Sequence, residues 1–324
     1  MLISKTKERL KTIVTAFFML MIVNVFIAVD YAKAENSKGI KIVSSIKPLA
    51  LLIQEIINDD DQLEVLIEKQ QNYQITQLKP AQLQKVDQAG VVFYIDDSFE
   101  QFVKNSKTND SAKYKYIQMS ETPNLRLLGL RKSGEMPSLA NDNLRYSLRE
   151  NQSNVDWHIW LNPDNAIVML SKIRDELSKL RPDKQNFYQE RYEIFSRHLI
   201  RYSSEKANLM MKVLDSPFFV LDDGLQYFEE QFGLRSKGII LQSGQKVMST
   251  KHLNELQKLR KVYDVNIVIK EEKYSNEVIN TLAGDKQFKV IDIDYLAQGS
   301  LSNHEDYISY NDAITERIFS GLKK

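Results

Sequence analysis

Short apolar runs of four or five residues alternate with helical stretches along most of this chain, and that alternation leaves few folds open to it. Residues 40–44, 63–67, 91–95 and 114–119 read as strands. Helices fall at about 48–57, from Pro80, where proline suits a first helical turn, and around 99–104. The pattern resumes with strands at 218–221, 238–241, 266–269 and 289–293. Helices at 225–232, 250–261 and 276–283 lie between them, and a last helix covers about 307–322. Strands separated by helices predict parallel βαβ units covered on both faces.

Two segments interrupt the alternation. Residues 121–155 are polar, rich in Asn, Ser and Arg, and aperiodic, and they read as a long surface loop. After Pro163 a helix runs to about Leu180, and Pro182 breaks it. A second helix is expected over 183–214, with apolar residues near Phe187, Tyr192, Phe195, Leu199 and Leu209. Its length of roughly 45 Å suits a rod between two lobes. The expected architecture is therefore two doubly wound α/β lobes (35–182 and 215–324) joined by one long connecting helix. Ligands of such sheets lie at the carboxyl ends of strands. The chemistry-bearing residues at expected strand ends are His158, Asp222, Glu271 and Asp294.

The first 34 residues read as a secretory signal peptide. Lys5, Lys7, Arg9 and Lys11 give a basic start, Ile13 to Val29 is almost wholly apolar, and Ala32-Lys33-Ala34 supplies a small-x-small cleavage pattern. The alternative is an uncleaved anchor, since this apolar run approaches the length that spans a bilayer. Cysteine is absent, which excludes disulfides, thiolate metal sites and a lipid-modified cysteine. A secreted protein without a lipid anchor fits a Gram-negative periplasm. Removing 1–34 takes away five basic and two acidic residues and turns the net charge from +1 to −2. A nearly neutral chain lacks the concentrated basic surface that nucleic acid requires.

The most informative stretch for function is Asp-Trp-His-Ile-Trp-Leu-Asn-Pro (156–163). It holds one of four histidines and both tryptophans, and its Asn-Pro step can end a strand and start a helix. Imidazole is the commonest metal ligand among side chains, and a packed, hydrogen-bonded histidine is the structural alternative for His158. His198, His252 and His304 read as surface or structural residues. Lys270 to Lys273 read as a solvated charge run apart from Glu271, which is either a spare carboxylate of the cleft or a loop acid. No phosphate loop, nucleophile elbow or paired metalloprotease helix motif is present, so no enzymatic activity is expected.

With these residues in view, the chain resembles the zinc-uptake solute-binding proteins of ABC transporters, the cluster 9 or A-I group. The likeness covers nearly the whole mature chain. Ser-Ser-Ile-Lys-Pro (44–48) resembles that family's first strand and turn, and Gln-Leu-Lys-Pro-Ala-Gln-Leu (77–83) the segment after its first metal histidine. The octapeptide at 156–163 is similar to its second metal motif. Phe219 to Leu234, with Tyr-Phe-Glu-Glu-Gln-Phe-Gly-Leu at its end, is similar to the third. Asp-Tyr-Leu-Ala (294–297) stands where the family has an aspartate-led turn. The resemblance implies chelatase-like lobes around a rigid connector and a metal site at Gln74, His158, Asp222 and Asp294.

Three departures accompany it. The first histidine is an amide here, Asp96-Asp97 replaces a small apolar turn, and the 121–155 loop carries no histidine. Zinc prefers nitrogen and sulfur donors, whereas one imidazole with carboxylates and an amide forms an oxygen-rich set that suits manganese better. Strand alternation favours an exposed Asp156, orienting His158 being its other reading. The implied function is a monomeric periplasmic receptor that delivers zinc, with manganese as the other candidate, to an ABC permease and its ATPase. The alternative is a degenerate relative that has lost metal and binds another solute or a protein.

Overall fold

The structure is a computed structural model that describes residues 39–67, 77–106, 115–131, 155–241, 247–299 and 306–323. The expected signal peptide, Gln74, His304 and residues 132–154 of the expected loop lie outside the described residues.

The amino-terminal half is built on β1 (Lys41–Ser44), α1 (Lys47–Gln54), β2 (Gln62–Val65), α2 (Pro80–Gln88), β3 (Val91–Tyr94), α3 (Gln101–Ser106) and β4 (Tyr116–Gln118). All strand pairs are parallel, in the order β2-β1-β3-β4. Every residue of β3 is buried, as a central parallel strand covered on both faces requires. Helix α1 carries Pro48 in its first turn and buries six consecutive residues, Pro48 to Ile53. It can do so because other helices pack over the side that faces away from the sheet.

The expectation of a surface loop over 121–155 is corrected at both described ends. Leu125, Leu127 and Leu128 are buried. Strand β5 (Leu128–Gly129) pairs antiparallel with β6 (Val155–Asp156), so the ends of the segment are built into the protein. The cause is non-local: each two-residue strand is too short to show a period, and the partners lie far apart in the chain.

Asn162 caps α4 (Pro163–Leu180), its side chain accepting from the Asn165 amide, with Pro163 in the first turn. A 3-10 turn at Pro182–Lys184 leads into α5 (Gln185–Met210), and a second one at Met211–Val213 ends it. Tyr188, Phe195, Leu199 and Tyr202 recur at three, four and seven residues and form the buried stripe of α5. The carboxyl-terminal half follows as β7 (Phe219–Val220), α6 (Gln226–Phe232), α7 (Thr250–Tyr263), β8 (Ile267–Glu271), α8 (Glu277–Ala283), β9 (Lys289–Ile293) and α9 (Tyr307–Leu322). Its sheet is parallel, ordered β7-β8-β9. The strand expected at 238–241 is reduced to one bridge, Ile239 to Val220.

One hydrophobic core runs from the first sheet across into residues of the second half, and a smaller one lies beneath β7, β8, α7 and α8. Helix α9 joins the halves by packing on α5, α1 and β9. The Tyr307 hydroxyl donates to the Trp160 carbonyl, and both Trp160 Nε1 and the Tyr310 hydroxyl donate to the Tyr295 carbonyl. Among the described residues no helix is long and apolar enough to cross a membrane.

Candidate metal centre

The site begins where β6 ends. Asp156, two residues before His158, accepts from His158 Nδ1 at 2.6 Å and from the His158 amide at 3.1 Å. It is 2 % exposed, which corrects the expectation of a solvated acid. Strand β6 ends at Asp156, so alternation does not govern His158; the chain turns, and the carboxylate receives the amide two residues on. With Nδ1 committed to Asp156, Nε2 is the nitrogen left to bind an ion, the arrangement common to metal-bound histidines. Phe99, Trp160 and Tyr295 enclose the imidazole at ring-centroid distances of 6.1, 5.3 and 5.3 Å. They pack around the ring and leave it only partly open to water.

Asp222 follows β7 and caps a 3-10 turn, its Oδ1 accepting from the Gly224 amide at 3.1 Å. Gly224 has no side chain for a reason. A Cβ there would lie 3.0 Å from His158 Cε1, 3.0 Å from Tyr295 Cε2 and 3.2 Å from Asp222 Oδ1. The histidine edge and the carboxylate therefore converge over one bare Cα. Glu271 ends β8, is buried, and accepts from Lys273 Nζ at 2.7 Å.

The charges of these groups feel one another. Burial alone would lower the His158 pKa, but Asp156, Asp222 and Glu271 more than offset it and the net shift is upward. Burial raises Asp222, with His158 pulling it back. Burial also pushes Glu271 up to about 7 against the attraction of Lys273.

Asp294 directly follows β9, at a strand end as expected. Its Oδ1 accepts from the Leu296 amide at 3.2 Å and its Oδ2 from the Gly299 amide at 2.6 Å, closing the turn that follows β9. A Cβ on Gly299 would lie 3.2 Å from Asp294 Oδ2 and 2.0 Å from Glu272 Oε2, so Glu272 closes over the same glycine. Asp222 and Glu271 thus act on His158 through their charges, Asp156 holds its ring from behind, and Asp294 accepts two amides of the turn after β9. Among the described residues no three His, Asp or Glu side chains close around one ion-sized point.

Two features escaped the sequence reading. Arg131, within the supposed surface loop, donates to Asp223 through Nε and its backbone amide, each at 2.6 Å. Its terminal nitrogens reach Glu229 at 2.9 and 3.0 Å. Gln226 Nε2 then donates to Asp223 at 2.8 Å and to Asp156 at 3.4 Å, linking this ion cluster to the acid that holds His158. The second feature is Glu100, fully buried beside β3, whose Oε2 accepts from the Ile95 and Asp96 amides. Burial pushes its carboxyl up to about 8.

A pH dependence follows. Glu55, at about 7 through burial, Glu271 and Glu100 all hold their protons more tightly in the folded than in the unfolded chain. The stability they confer is full below the unfolded pKa near 4.5 and is lost as pH rises through 7 to 8. Metal-free protein is expected to melt higher at pH 5 than at pH 8, by on the order of a few kcal/mol, in scanning calorimetry. Glu100→Gln should flatten the upper part of that curve.

Residues 42–321 match the family described as "Zinc-uptake complex component A periplasmic". The chain is 22 % identical over 284 residues to the high-affinity zinc uptake system protein ZnuA of Haemophilus ducreyi, spanning 86 % of this chain and 91 % of that one. A crystal structure of ZnuA superposes with a TM-score of 0.70 at 22 % identity, covering 87 % of this chain and 98 % of that one. The laminin-binding adhesin Lmb of Streptococcus agalactiae superposes with a TM-score of 0.71 at 19 % identity, covering 88 % and 100 %. These likenesses bear out the two-lobed α/β fold with its long helix.

Proposed function

The chain belongs to the zinc-uptake complex component A periplasmic family, and from that premise we propose that it captures a divalent ion between its halves for an ABC uptake system. The observation that carries this reading is the part-buried His158, held by Asp156, with its ring edge and the Asp222 carboxylate both over Gly224 and Glu271 acting on it electrostatically. His158 supplies nitrogen through Nε2, and Asp222 and Glu271 supply charge and oxygen. Asp294 and Gln74 complete the proposed set; each Asp294 oxygen accepts one amide and keeps a second lone pair for an ion.

The cargo we propose is zinc, with manganese as the second candidate because the donors are mostly oxygen. The protein acts as a monomer in the periplasm after removal of residues 1–34, handing its ion to a permease driven by an ATPase. No catalytic step belongs to this reading. Loss of metal binding is the less favoured alternative, since the family match spans both halves.

Protein stripped with chelator and titrated with zinc or manganese tests the proposal. A ligand at roughly 100 times its dissociation constant stabilises by about 2.7 kcal/mol, so the melting temperature should rise by about 5–8 °C. A melting temperature unmoved by either ion in excess rejects it.

A further inference from the structure

The run Lys270-Glu271-Glu272-Lys273 reads in sequence as a solvated charge cluster, and the structure divides it. Lys270 is buried and tied to the Tyr274 carbonyl at 2.7 Å and to Asp292 at 2.5 Å. The Lys273 side chain is 42 % exposed, yet its ammonium turns inward to Glu271 Oε2 at 2.7 Å. Its charge also reaches Asp222. Its stem passes the Tyr274 ring, with Nζ 5.1 Å from the centroid. A cation on a half-exposed arm therefore rests on Glu271, a carboxylate whose charge is felt by both Asp222 and His158.

An ammonium and a divalent ion cannot share that place. Like charges a few ångströms apart repel even in bulk water, and more strongly in a buried site. We propose that Lys273 is a tethered cation that balances the carboxylates of the metal-free site and swings out to solvent when the ion enters. It thereby sets how tightly the ion is held. This rests on the reading of His158, Asp222 and Glu271 as a metal centre. The arm is well suited to the exchange: its stem is half-exposed, so outward movement opens no cavity in the core, and the ammonium regains water as it leaves.

The test uses the full mature protein, with zinc and manganese affinities measured by chelator competition at pH 8. Lys273→Met keeps the stem and removes the charge, and should bind the ion about tenfold tighter, since displacement of an opposing charge no longer opposes entry. Lys273→Arg should stay near the wild type. In the wild type, labelling of the Lys273 amine by an acylating reagent, read by mass spectrometry, should rise severalfold when zinc is added. Wild type that binds metal while Lys273→Met binds equally or more weakly overturns the proposal, as does labelling that zinc leaves unchanged. Wild type that binds neither zinc nor manganese overturns the metal reading and this proposal together.

Discussion

Arg131→Ala is expected to cost the folded protein about 3–5 kcal/mol, the usual penalty for stripping one partner from a buried ion cluster. The guanidinium is 10 % exposed and its two acidic partners 4 % each. It donates to Asp223, to both oxygens of Glu229, and to Ser236 Oγ at 3.3 Å. Removing it leaves two buried acids without their guanidinium, held by neutral donors from Gln226 and Ser236. Arg131→Lys should recover little, because one ammonium cannot reproduce a planar fork that engages two acids. Arg131→Met combined with Asp223→Asn and Glu229→Gln should regain most of the loss, since no unpaired charge is then buried. The measurement is the urea midpoint with the slope unchanged. A midpoint for Arg131→Ala within about 0.5 kcal/mol of wild type would show that the cluster is dispensable.

His158→Ala is expected to abolish the metal-dependent rise in melting temperature. The variant also loses a part-buried ring packed among Phe99, Trp160 and Tyr295, so its metal-free melting temperature should fall as well. The decisive quantity is therefore the difference between loaded and stripped protein. Asp156→Asn separates orientation from packing. It keeps the volume but removes the charge that holds Nδ1–H, and partners of this kind typically govern metal affinity by about 10- to 100-fold. Chelator competition that finds Asp156→Asn equal to wild type would remove Asp156 from the site.

The elements most legible in the sequence were those with a local signature. Helices α4 and α9 begin and end close to expectation because Asn162-Pro163 and Asp306 cap them and a 3.6-residue apolar period fills them. Strand β9 was equally clear, as an apolar run between turns. What stayed hidden depends on distant partners. Arg131 meets acids 92 and 98 residues downstream, and no local pattern announces them. Leu125, Leu127 and Leu128 are buried, but their polar neighbours mask the run.

The same division holds at the site. His158, Asp222 and Glu271 were found as strand-end residues. Asp294, chosen by the same rule, also follows its strand, and its oxygens accept two amides of the next turn, a local pairing that the sequence does not announce. Lys273 was concealed by its charged neighbours.

The Tyr295 carbonyl has a consequence for unloading. It accepts from Trp160 and from Tyr310 at once, so residues from the first half, the second half and the last helix are riveted at a single oxygen beside the imidazole. Clamshell opening would have to tear out that rivet and rehydrate the aromatic wall around it. Handover of cargo would instead proceed with the scaffold standing still, a docked partner prising loose individual ligating arms from the rim.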